Sequence, residues 1–381
     1  MKKIMILAAA AALVLSAACT KTEISSPNDE QHAIGLSIYT PRPTTKADGT
    51  FIDNTATAGL VNGKHFAVYA NATTNGTAFT TSAIGTSFMS AVSVEFASAK
   101  NTASTGMDTY APIRYWPSGD TPDYLTFWAY YPLETGNGIT YTAPSGSNGM
   151  GSYSFTANAT AASMVDFLVS DVVNDMVYTD GNKGIVPLVF HHMLTKVQFF
   201  FKTDATTAAD SNTDVTLTNA QLQTITKNGT LATTYSSSAN PKCTYTWTPG
   251  ATTASYDITI SGATPSSTPV KLSNTATTCA AGDVFLMVPQ TIADNTQKIN
   301  LTWTVKTFAD GADHSSATPL STTTNTKTID LYDILTDSDA RITWDMNKRV
   351  NYTITIGPKP IKFTANVETW GDLSEGAIEV N

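Results

Sequence analysis

Asn300-Leu301-Thr302-Trp303-Thr304-Val305 puts an apolar side chain at every second position. Successive side chains of a strand point to opposite faces, so a period of two marks a ribbon with one face in a core and the other in water. Tyr352-Thr353-Ile354-Thr355-Ile356 repeats the pattern, as do Ile361, Phe363, Ala365 and Val367 with polar residues between them. Phe66, Val68 and Ala70, then Leu125, Phe127 and Ala129, read the same way. Val284 to Val288 is apolar without a break, which suits a strand covered on both faces. Turn signals separate the runs: Pro117-Ser118-Gly119-Asp120, Gly136-Asn137-Gly138, Asp180-Gly181-Asn182 and Asn228-Gly229. Many short strands between such turns predict an all-β chain of sandwiches or barrels. Helical periodicity is weak, showing only near Ser163 to Val169 and Asp330 to Leu335.

Length and composition bound the rest. A chain of 381 residues exceeds the roughly 100–200 residues of one ordinary domain, so two are expected. A boundary fits Asp180-Gly181-Asn182-Lys183-Gly184, and the polar stretch Thr203 to Asp214 offers a second position. Only 14% of residues are charged, but 41% are hydrophobic, enough to build packed cores. With 22 basic and 31 acidic residues the net charge is −9, and losing Lys2 and Lys3 makes it −11. That sign argues against nucleic acid and against anionic lipid as ligands.

The first residues read as an export signal. Lys2 and Lys3 precede a short apolar run, Ile4 to Leu15, and then Ser16-Ala17-Ala18-Cys19. The run is too short to span a bilayer, and small residues flank the expected cut. A cysteine directly after such a cut predicts acylation of Cys19, the alternative being an ordinary signal with a coincidental cysteine. Each buried methylene of an acyl chain contributes about 0.8 kcal/mol to anchoring. The two remaining cysteines, Cys243 and Cys279, are compatible with a disulfide in an exported chain or with two buried thiols.

Between the signal and the first long run of strands lies one isolated alternation, Ile34, Leu36 and Ile38. Pro41-Arg42-Pro43-Thr44-Thr45-Lys46-Ala47-Asp48-Gly49 follows, an irregular and exposed segment open to a trypsin-like protease. Arg42 precedes Pro43, whose ring hinders cleavage, so Lys46 is the preferred site. Catalytic and metal-binding signatures are lacking. His191 and His192 are adjacent and point to opposite faces of a strand, and no Cys-x-x-Cys or nucleophile motif occurs. Asp330, Asp333, Asp337 and Asp339 lack the order of a calcium loop. No enzyme activity, cofactor or metal is expected. The aromatics Trp116, Trp128, Tyr130 and Tyr131 are either core residues or a platform for sugars.

Taken in order, several segments resemble the fimbrillin family of Bacteroidales type V pili. Thr45-Lys46-Ala47 is similar to its processing region, and Phe66 to Ala70 to its first core strand. Tyr115-Trp116-Pro117 and Leu125 to Pro132 look like its aromatic strand pair, and Phe190 to Val197 is similar to its Phe-x-His-x-Leu-x-Lys-Val segment. Trp344-x-x-Asn347, Tyr352 to Ile354 and Phe363 to Trp370 match its closing strands. The resemblance implies two tandem transthyretin-like β-sandwiches. The chain then divides into a signal peptide (1–18), a lipidated propeptide holding a plug strand (19–46), an N-terminal sandwich (47–183) and a C-terminal sandwich (184–381). It implies a pilus subunit held in the outer membrane through Cys19, matured by a trypsin-like protease at Lys46 or Arg42. Other subunits join it by strand exchange, and a host or bacterial surface ligand is a further partner. The alternative is a surface lipoprotein that binds glycans and never polymerises.

Overall fold

In the computed structural model the described residues are 32–39, 64–95, 109–119, 122–144, 150–204, 212–239, 243–260, 269–273, 280–336, 340–357 and 362–370. They form strands and short turns. Of the two stretches with weak helical periodicity, Ser163 to Val169 begins at the end of a 3-10 turn, Ala161–Ser163, and runs into a strand, and Asp330 to Leu335 holds a single 3-10 turn, Leu331–Asp333. No helix among the described residues is long and apolar enough to cross a membrane.

Strands are numbered along the chain. The first sheet is built from β1 (Gly35–Tyr39), β10 (Ile185–His192), β8 (Leu168–Ser170), β5 (Tyr124–Tyr131), β2 (His65–Thr73), β3 (Thr86–Glu95) and β4 (Thr109–Tyr110), in that spatial order. A further short strand, β9 (Val173–Met176), pairs with β5. Alternation sorts its side chains: Phe66, Val68, Ala70, Leu125, Phe127 and Ala129 enter one core. On the opposite face Trp128 and Val169 pack against a second sheet, β14 (Cys243–Pro249), β13 (Asn228–Tyr235), β7 (Ser152–Thr156) and β6 (Ile139–Thr142). That interface is aromatic, with Tyr153, Phe155 and Phe167 at its centre.

The other sandwich follows the same logic. One sheet orders β17 (Ala280–Met287), β11 (Thr195–Thr203), β22 (Lys348–Ile356) and β23 (Lys362–Thr369). Its partner orders β15 (Thr253–Asp257), β12 (Thr213–Thr226), β19 (Lys298–Thr307) and β20 (Ser321–Asp330), with β16 (Val270–Lys271) beside β12. A ribbon of β18 (Gln290–Thr291) and β21 (Thr343–Trp344) closes the set. Val197, Phe199, Phe285 and Tyr352 meet Leu217, Leu222, Leu301 and Trp303 in one core, as the alternation of the Asn300–Val305 stretch requires. The apolar run after Val284 is shared: Phe285 and Met287 enter this core, while Leu286 and Val288 pack into the aromatic one.

Sheet membership crosses the division expected after Lys183. β10 begins at Ile185 yet lies in the first sheet, between β1 and β8. The long hairpin from β12 to β15 also spans both sandwiches. Its base pairs β12 with β15 in one, and its tip, β13 and β14, completes the other by pairing with β7. The bend is held by Gln290, whose Oε1 accepts from Thr226 N–H at 3.1 Å and whose Nε2 donates to Thr226 O.

Candidate functional site

The isolated alternation ahead of the first sandwich forms β1, at the end of the first sheet. It runs parallel to β10, with Leu36 opposite Val186 and Ile38 opposite Leu188. Ile34 and Leu36 are 2% and 0% exposed and join the core around Phe66, Val68 and Phe190. Phe66 and Phe190 meet edge to face at 5.7 Å below them. Burying two aliphatic side chains of this size stabilises the strand in its seat by about 1.5–3 kcal/mol each.

A second wall completes the seat. β4 ends the first sheet on the side opposite β1, and the segment after it, residues 111–116, turns back to reach the same strand. Ile34 N–H donates to Arg114 O and Trp116 N–H to His32 O, both at 2.9 Å, so Ala33 and Tyr115 pair antiparallel. One residue later the chain changes sides, and Gly35 N–H donates to Gly184 O at 2.8 Å. Residues 32–39 therefore tie the two ends of the sheet together and close it around its core. Without them, backbone donors and acceptors on both walls lose their partners.

Three side groups organise the mouth of the seat. Tyr110 Oη donates to Ile34 O at 2.9 Å and accepts from Arg114 N–H, and burial raises its phenol above the usual value despite the opposing pull of Arg114. Trp116 Nε1–H donates to Gly184 O at 3.1 Å, the same carbonyl that receives Gly35. Gly184 sits at φ +70°, and a Cβ there would lie 2.9 Å from both Ala33 O and Trp116 Nε1. His32 stacks on Tyr178 at 3.5 Å where the chain leaves the seat. The sequence singled out Ile34, Leu36, Ile38 and Trp116. It did not single out Tyr110 or the role of Gly184, since neither stands in an apolar alternation.

At the far end of β10 lies a buried pair. His192 Nδ1 lies 2.7 Å from Asp166 Oδ2, with side chains 10% and 3% exposed, close enough for an ion pair although not aligned as a hydrogen bond. The His192 ring stacks on Trp370 at 4.0 Å. His191 points the other way, its Nε2 2.9 Å from Asp171. The histidines thus divide as adjacency in a strand demands. Among the described residues no group of three His, Cys, Asp or Glu side chains is placed to hold a metal.

The remaining expectations divide between core and undescribed sequence. Trp116, Trp128 and Tyr131 are buried and Tyr130 is partly so, which corrects the idea of a sugar platform built from these four. Trp128, Tyr130 and Tyr131 lie on one strand, Tyr124–Tyr131, and face cores on its two sides, and Trp116 packs into the core beside Phe127. Cys243 is buried, its Sγ accepting from Val172 N–H at 3.4 Å. Cys19, Arg42, Lys46, Cys279 and residues 371–381 lie outside the described residues.

Comparison with known proteins adds three likenesses. A family model described as fimbrillin-like matches residues 45–370. A fimbrial protein from Bacteroides vulgatus shares the fold with a TM-score of 0.59 at 18% identity, covering 89% of this chain and 99% of its own. A candidate cell adhesion protein from Bacteroides uniformis gives a TM-score of 0.47 at 16% identity, covering 90% of this chain and 99% of its own. No curated protein matches the chain.

Proposed function

The chain belongs to the fimbrillin-like family, and from that membership we propose that it is a structural and adhesive subunit of a cell-surface pilus, matured by proteolysis and assembled by strand exchange. Its two sandwiches are the transthyretin-like domains expected of such a subunit. Export as a lipoprotein places it in the outer membrane through Cys19. A trypsin-like protease cuts after Lys46 and frees the strand that holds Ile34, Leu36 and Ile38. The observation that supports this reading is the seat of β1: a strand N-terminal to the cut, with Ile34 and Leu36 in the core, that bridges both ends of a sheet. A strand of like pattern from another copy regains the same backbone pairing and the same apolar seats, so exchange costs little net free energy.

The donor is the last segment of the chain. Ala377-Ile378-Glu379-Val380-Asn381 repeats the pattern of Ala33-Ile34-Gly35-Leu36-Ser37, with Ile378 taking the place of Ile34 and Val380 that of Leu36. Glu379 falls where Gly35 is buried, the position at which the segments differ most in size. To test the proposal, the purified protein is treated with a trypsin-like protease, and its N-terminus and mass are followed by mass spectrometry. A new N-terminus at Ala47 together with high-mass assemblies supports it, and Lys46→Ala prevents both. Quantitative cutting that leaves the subunits monomeric overturns it.

A further inference from the structure

Among the described residues three large apolar side chains are well exposed: Ile113 at 48%, Tyr115 at 46% and Leu320 at 72%. A single exposed apolar residue needs no explanation. Two on one short segment, at the mouth of the β1 seat, ask for one. Both flank Arg114, whose carbonyl receives Ile34 N–H, and Tyr115 pairs directly with Ala33.

The position of these residues relative to the entering chain supplies the reason. An exchanged strand that keeps the parallel direction of β1 enters at the Ala33 end, beside Tyr115. With Ala377 in the place of Ala33, six residues, 371–376, connect it to Trp370 of the copy that supplies it. Six extended residues reach at most about 20 Å. A sandwich is as wide as that, with sheets about 10 Å apart and side chains beyond them. The body of the supplying copy is therefore held within about 20 Å of the rim where its strand goes in, close enough to cover an exposed apolar pair there.

We propose that Ile113 and Tyr115 form the landing surface for a second copy of this chain, covered by the part of that copy around its Trp370. This rests on the strand-exchange reading and adds a contact between bodies to the contact made by the strand. The surface slows separation of joined subunits and fixes their angle, whereas the seat alone holds a strand on a flexible tether. Because both side chains face solvent, replacing them leaves the seat and its hydrogen bonds in place.

The test compares wild type with Ile113→Ser, which leaves the pairing of Tyr115 with Ala33 in place, each as full chain cut after Lys46. A synthetic peptide of residues 371–381 is titrated into both, and assembly is followed separately by light scattering. The expected result is equal peptide affinity, equal thermal stability of the uncut proteins and about tenfold slower growth of assemblies by the variant. Equal growth by both proteins, with the peptide bound, overturns the landing surface and leaves strand exchange standing. Failure of the peptide to bind wild type overturns strand exchange itself, and the landing surface with it.

Discussion

Gly184 gathers more of the seat than any other backbone position. Its carbonyl receives both Gly35 N–H and the Trp116 indole, and its positive φ and crowded α-carbon leave no room for a side chain. Gly184→Ala is expected to lower the unfolding free energy by about 1–3 kcal/mol, read from urea denaturation. The loss is expected to show first as easier release of β1. Leu36→Ala empties a fully buried site and costs about 2–5 kcal/mol by the same measurement. Asp214 contributes to stability in acid. Burial alone would raise its carboxyl, but hydrogen bonds from Lys271, at 2.7 Å, and His314, at 2.9 Å, outweigh it and hold the group below its usual value. A lowered folded value stabilises the protein above the unfolded carboxyl's pKa of about 3.9, and that stability is lost as pH falls through the folded one. The thermal midpoint is expected to drop less steeply on acidification in Asp214→Asn than in wild type.

At the scale of elements, the strand-exchange proposal has the tail segment and β1 compete for one seat, with residue 35 discriminating between them. Glu379→Gly is expected to strengthen binding of the 371–381 peptide to the cut protein. Weaker binding in calorimetry would show that the two segments do not occupy the seat in the same register. The alternation of Ile34, Leu36 and Ile38 made β1 legible as a strand, and Leu301, Trp303 and Val305 did the same for β19. A period of two reports which side chains share a face but says nothing about which strand lies alongside. Residue 35 pairs with residue 185, and residue 33 with residue 115, across loops that leave no local trace. For the same reason the turn at Asp180 to Gly184 looked like a division between domains. It is a tight connection, pinned by Asn182 accepting from Thr179 N–H and Gly184 N–H, inside one sandwich.

The whole molecule is held by its aromatic interior as much as by its sheets. Burial raises the phenols of Tyr69, Tyr141, Tyr153 and Tyr245; Asp171 adds to the effect at Tyr245, and the Trp128 indole hydrogen bond pulls against it at Tyr141. Raised phenols stabilise the fold fully below the unfolded tyrosine pKa of about 10, and the contribution is lost as pH rises beyond it. Circular dichroism across that range is expected to show cooperative unfolding together with the appearance of tyrosinate absorbance. A stepwise appearance with the sheets intact would place these rings at the surface. The hairpin from β12 to β15 has a consequence in time. The sheet that carries Tyr153 and Phe155 lacks two of its four strands, β13 and β14, until residues 228–249 have been made. While the ribosome is still working through the first half, the core around Phe66 and Phe190 can form, but the aromatic face of the same sheet waits for its cover. The aromatic side of the first sandwich therefore closes later than its order of strands suggests, which suits the export proposed for this chain.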